Sequence, residues 1–218
     1  MDIDTSESKP TRKELERLRR RSEILHAARE LFLTKGFVNA TLEEVAQLAE
    51  FSKGTIYNYF ANKEELLWGM IELFLEETIA LANREFREND RPAREKFYSY
   101  TTAVIASGRE HEFFHTILRE EHILEASNSH ERLAVISKKI RIVWAIIARE
   151  IESEMSAGRF RKGNALELAG LFDLMVRTFG VGTQKKEFPV PITSRAAVVN
   201  LIVTTFLDGV VTHSEKEQ

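Results

Sequence analysis

The sequence has no cysteine, only ten glycines and four prolines, and no long apolar run. The first absence excludes disulfides, cysteine-ligated zinc and a cysteine nucleophile. Scarce glycine and proline favour helices joined by short connections over a turn-rich β fold. The longest apolar stretches, such as 142–148, fall far short of the roughly 20 residues that span a bilayer, so no membrane partner is expected. Residues 1–23 hold Asp, Ser, Lys and Arg without the apolar core of a signal peptide, and a cytoplasmic location is expected. No phosphate-cradling glycine loop and no Ser/His/Asp arrangement can be read, and no cofactor is expected.

What is present is a globular composition, 43% hydrophobic and 30% charged over 218 residues. The net charge of −3 argues weakly against a nucleic-acid partner, but its distribution says otherwise. From Lys9 to Lys63 there are 11 basic and 7 acidic side chains, whereas residues 64–218 carry 20 and 24. A basic N-terminal third joined to an acidic remainder points to two parts with different partners.

Nearly every segment repeats its apolar residues at the helical period, so the expected class is all-α. A first helix is expected from about Leu15 or Arg20 to Lys35, with Ile24, Ala28, Leu31 and Phe32 inward and Gly36 as its stop. Ahead of it lie six basic residues among 12–21, which fit either a flexible arm on DNA or a solvated, frayed helix start. Thr41 and Glu44 form a capping-box pattern opening a second helix. Ser52 caps a short third helix, expected over Lys53–Phe60, and Asn62 with Glu65 opens a long fourth. Further helices are expected over about 93–107, 111–127, 130–157, 164–181 and 194–212. The expected domains are 1–66 and 67–218, divided inside the fourth helix.

Residues 41–60 thus read as a helix-turn-helix. Its second helix buries Ile56 and Phe60 and leaves Lys53, Thr55, Asn58 and Tyr59 with outward or sideways reach; Gly54 allows a DNA backbone to come close. The run from Ala49 to Leu66, AEFSKGTIYNYFANKEEL, preceded by Ala27 to Phe32 and by Lys35-Gly36-Phe37 with Thr41, resembles the TetR/AcrR family of bacterial transcriptional regulators. The resemblance covers residues 20–68. It implies a homodimeric repressor with an N-terminal three-helix DNA-binding domain and a larger helical domain that dimerises and binds a small effector. Carried over by position, the DNA contacts would be Thr41, Lys53, Gly54, Thr55, Tyr57, Asn58, Tyr59 and Lys63. Of these, Lys53, Thr55 and Asn58 suit base edges, and Thr41, Tyr57, Tyr59 and Lys63 suit phosphates. One departure is Glu50, where the family usually has glycine in a left-handed turn; a glutamate there would cost on the order of 1 kcal/mol.

A rival reading rests on His111-Glu112-Phe113-Phe114-His115, a literal HExxH. On a helix its two histidines share a face and Glu112 is placed to act as the general base of a zinc hydrolase. No third ligand stands at a suitable spacing; His122 is two turns beyond His115. The favoured reading assigns no metal and no catalytic residue.

In the C-terminal part, residues 164–181 and 194–212 are apolar over more than one stripe. Such helices need covering on two sides, and the resemblance implies that they form a four-helix bundle with a second subunit. The operator would then be a palindrome in double-stranded DNA. For an apolar or aromatic effector the candidate lining is Phe97, Tyr100, Phe114, Leu118 and Trp144, with His115 and Arg177 as polar anchors.

Overall fold

The computed structural model describes residues 11–87, 90–117, 129–180 and 194–211, and of residues 115–117 the backbone only. The helices among them are α1 (Arg12–Lys35), α2 (Leu42–Leu48), α3 (Lys53–Tyr57), α4 (Lys63–Glu85), α5 (Ala93–Ala106), α6 (Gly108–Ile117), α7 (Ser129–Ser156), α8 (Ala165–Leu174) and α9 (Arg195–Val210); each answers to an expected helix, and of the one expected over 111–127 the part beyond 117 lies outside the described residues. A π-helical turn, Met175–Gly180, continues α8. Apart from one isolated bridge between Phe160 and Val211, no strand occurs among the described residues. No helix among them is long and apolar enough to cross a membrane.

Contacts divide the chain into two units, Met1–Leu73 and Phe74–Gln218, with the division inside α4. In the first unit, α1 buries Ile24, Leu25, Ala28 and Phe32 and stops at Gly36, whose φ of +85° suits a residue without Cβ. α1 starts earlier than expected. Thr11 and Glu14 form a reciprocal capping box, so the basic residues of 12–21 form the first turns of the helix, and Arg20 reaches back to Glu16 at 2.9 Å.

The second unit is built around a cluster that includes Phe86, Phe97, Tyr100, Phe172 and Phe206, their rings meeting edge-on or tilted 4.8–6.1 Å apart. Such ring pairs add to simple area burial because the ring edges and faces carry opposite partial charge. α7 packs on α8 and α5 on α9 around this cluster. Gly170 lets the Trp144 ring approach α8 closely, since a Cβ there would stand 3.3 Å from it.

Candidate nucleic-acid interface and effector unit

The local sequence dictates how α2 and α3 are held. Thr41 and Glu44 exchange cap hydrogen bonds, the Glu44 amide to the Thr41 hydroxyl at 3.3 Å and the Thr41 amide to the Glu44 carboxylate at 3.1 Å. Ser52 accepts the Thr55 amide at 3.1 Å, and its hydroxyl lies 2.8 Å from that of Thr55. Between the helices Glu50 adopts φ +58°, the left-handed conformation expected for the residue that replaces glycine there. Ile56 and Phe60, 0% and 3% exposed, fasten α3 to the unit.

That fastening leaves Lys53, Gly54, Tyr57 and Asn58 exposed, with Thr55 and Tyr59 half-buried and Thr41 exposed at the start of α2. The helix is shorter than expected: it ends at Tyr57 with Asn58 as its C-cap, and Tyr59 and Phe60 lie beyond it. Lys53 is not idle. It pairs with Glu43 of α2 and lies 5.7 Å over the Tyr57 ring. Their hydrogen bond holds the Glu43 carboxyl below its ordinary range and raises the Lys53 ammonium above its own.

Lys63 departs from the role expected of it. Its ammonium donates to the carbonyls of Phe37, Val38 and Ala40 at 2.8, 3.0 and 3.1 Å and sits 4.6 Å over the Phe37 ring. An ammonium has three donors, and all three are engaged in closing the α1–α2 connection, so none is left to donate to a phosphate.

In the second unit the candidate effector residues separate. Phe97 and Tyr100 are fully buried in the aromatic core. Tyr100, Trp144 and Arg177 converge on a residue that sequence reasoning missed, Asp173. The Tyr100 hydroxyl donates to it at 3.1 Å, the Trp144 indole N–H at 3.0 Å, and Arg177 Nε lies 2.9 and 2.8 Å from its two oxygens. Burial, then the Asp173 charge, pushes the Tyr100 phenol far above its ordinary value. Phe114 instead packs on Phe74, ring centroids 4.5 Å apart. Leu118 and the His115 side chain lie outside the described residues.

His111 was read as a metal ligand in the rival hypothesis, and its surroundings do not fit that role. It is 7% exposed, its ring lies edge-on to Phe74 at 4.6 Å, and Nδ1 is 3.2 Å from the Ser107 carbonyl. That contact makes Nδ1 the protonated nitrogen and leaves Nε2 as a buried acceptor with no partner among the described residues. Burial, assisted by the nearby Arg177 charge, lowers its pKa to about 3. Among the described residues no group of three or more His, Asp or Glu side chains is placed to hold a metal ion.

Comparison with known proteins agrees with this geometry. Residues 24–68, from the middle of α1 into α4, match the family model described as bacterial regulatory proteins, tetR family. The chain is 30% identical over 142 residues to YhgD of Bacillus subtilis, an uncharacterised HTH-type transcriptional regulator, covering 65% of this chain and 72% of that protein. It is 27% identical over 183 residues to the HTH-type transcriptional regulator UidR of Escherichia coli, covering 83% and 84%. A TetR/AcrR-family regulator from Thermobifida fusca has the same fold, with a TM-score of 0.65 at 21% identity over 88% of this chain and 98% of that one. None of these relatives supports the zinc-hydrolase alternative. The capped helix pair, its exposed second helix and these similarities lead to one conclusion: the chain belongs to the TetR family of bacterial regulatory proteins and is a DNA-binding transcriptional regulator of the helix-turn-helix type.

Proposed function

We propose that this regulator is a ligand-released repressor that binds a palindromic operator as a homodimer. The observation that carries the DNA-contact assignment is Gly54. Glycine inside a helix costs up to about 1 kcal/mol relative to alanine, and among the described residues nothing asks for it here: a Cβ would meet only Ser52 Oγ, at 3.9 Å. The missing side chain clears space for something outside the protein. A duplex approaching there meets Lys53 and Tyr57 on this short helix and Asn58 at its C-cap. Lys53 would exchange Glu43 for a base edge, and Asn58 offers the donor and acceptor pair that matches adenine. Thr41, Tyr57 and Tyr59 supply hydroxyls to phosphates, while Thr55, tied to Ser52, reaches a base edge only through the free side of its hydroxyl. Lys63 acts indirectly, by holding the connection ahead of α2.

The dimer is supported by leucines left in solvent: Leu171 and Leu174 on α8 and Leu201 on α9 are each about half exposed, though both helices already bury their opposite faces. The effector is proposed to be apolar or aromatic and to bind beside the Asp173 node, with Phe74 and Phe114 as an aromatic wall and His111 Nε2 accepting a hydrogen bond. It releases DNA only if it binds the non-operator conformation more tightly. Fluorescence anisotropy with DNA flanking the chain's own gene tests this reading. Specific binding should survive competitor DNA, and Asn58→Ala or Tyr57→Ala should each weaken it by about tenfold or more with the helical circular dichroism unchanged. Binding with no sequence preference would overturn it.

A further inference from the structure

Around the end of α4 and the start of α5 the sequence places Arg87, Arg91, Arg94 and Lys96 within ten residues. The second unit brings Arg149 of α7 and Arg159 beyond it to the same place, and these six cations line a cleft of about 960 Å³. That volume suits a small organic molecule. Three carboxylates share the lining, Asp90, Glu150 and Glu154, and Glu85 and Asp208 beside it pair with two more of the cations, so the cleft keeps a net positive charge of one.

The pairing within the cleft shows which cations are available. Lys96 donates to Glu150 at 2.8 Å with both side chains buried. Arg159 holds Glu154 through two bonds of 2.7 and 2.6 Å. Arg91 is turned to Glu85 and to the Ser99 hydroxyl, and Arg94 lies 3.7 Å from Asp208. Arg87 and Arg149 have no ion-pair partner among the described residues. Pro92, also in the lining, is the N-cap of α5 and gives no side-chain cap; the Glu95 N–H donates to the Pro92 carbonyl at 3.0 Å, so the Ala93 and Arg94 N–H groups and the positive end of that 14-residue helix are presented there. The lining is completed by buried apolar side chains, Phe86, Ile146, Phe160 and Leu207. Like charges beside such low-dielectric walls raise the local potential that draws an anion.

We propose that this cleft is a binding site for an amphipathic oxyanion, its phosphate or carboxylate head held by Arg87, Arg149 and the start of α5 and its apolar body lying on Phe86, Ile146 and Phe160. It is separate from the Asp173 node, although Lys96 and Tyr100, one turn apart on α5, belong to the two sites. Planar guanidinium groups suit either oxyanion because both match their fork of donors. Asp90, the lining carboxylate without an ion-pair partner among the described residues, disfavours a second anionic group on the ligand.

Calorimetric titration of the full chain with octyl phosphate and with octanoate tests the site and distinguishes the two heads. Saturable binding of at least one of them, one per chain, is expected, with inorganic phosphate competing and uncharged octyl glucoside failing to bind. In the Arg87→Gln/Arg149→Gln double variant the affinity should fall at least tenfold. Lys138→Gln, which removes an exposed cation of α7 outside the lining, should leave it unchanged. The unliganded double variant should keep its melting temperature and its operator affinity, so a failure here leaves the repressor reading standing. No saturable binding of either anion, equal affinity in the double variant, or equally tight octyl glucoside binding would overturn the proposal.

Discussion

Glu50 carries a backbone cost that a glycine would not. Its φ of +58° puts Cβ against the following carbonyl, a conformation that costs a non-glycine residue roughly 1–2 kcal/mol. Its side chain also shares a shallow groove with Glu23, Glu30 and His26, where a third carboxylate adds repulsion. Glu50→Gly removes both burdens and gives back part of the gain through the greater freedom of the unfolded chain. A net stabilisation of about 0.5–1 kcal/mol is expected, raising the thermal midpoint by roughly 2 °C for a chain of this size. A lower midpoint in differential scanning calorimetry would mean that Glu50 makes a contact worth more than its strain. The left-handed conformation at this position was expected only through the family resemblance, which places a glycine there; Glu50 itself gives no sign of it in the sequence. The roles of Lys63 and Asp173 were not legible there either. The carbonyls that Lys63 binds lie 23–26 residues earlier, and main-chain oxygens leave no mark on a side-chain pattern.

Helices were legible where caps and period agreed, as at Thr41-Leu42-Glu43-Glu44, and less sharply where composition left two readings open. Thr11 and Glu14 stand in the same capping spacing, and the basic run that follows, which fits either an arm or a solvated helix start by composition, is helical from Arg12. The Asp173 node escaped for another reason: Arg177 stands one turn on from Asp173, but Tyr100 and Trp144 come from α5 and α7, and only packing makes them its neighbours. α6 presents a related case with a measurable consequence. His111 titrates at about 3 in the folded chain against an ordinary 6.5. Between those values the unfolded chain binds a proton that the folded chain refuses, so stability is whole above about pH 6.5 and falls as the pH drops toward 3. At pH 5 the expected loss from this residue is about 2 kcal/mol. His111→Phe, which keeps an aromatic ring against Phe74 and leaves no nitrogen to protonate, should flatten that part of the profile in urea titrations at pH 7.5 and 5. An equally steep loss in the variant would place the acid sensitivity elsewhere.

At the scale of the whole molecule, the chain leaves apolar area in water that its own fold does not use. Leu171 and Leu174 are each 53% exposed and Leu201 is 49% exposed, on helices whose other faces carry Phe172, Ile202 and Phe206 into the core. Covering the exposed half of each leucine would contribute about 1 kcal/mol, a term that doubles by symmetry when a second copy supplies the cover. The proposed dimer therefore predicts that Leu171→Glu combined with Leu201→Glu places four carboxylates in one interface and separates the subunits. Light scattering should give half the mass of the unaltered protein at micromolar concentration, with the helical circular dichroism retained. Operator affinity should fall much further than the loss of any one base contact would cause. Half-sites one helical turn apart, about 34 Å, are held together only while the two recognition helices belong to a single particle, so a monomer must bind each half-site separately and forgoes the effective concentration that linkage provides. An unchanged mass in the double variant would show that α8 and α9 do not form the subunit contact.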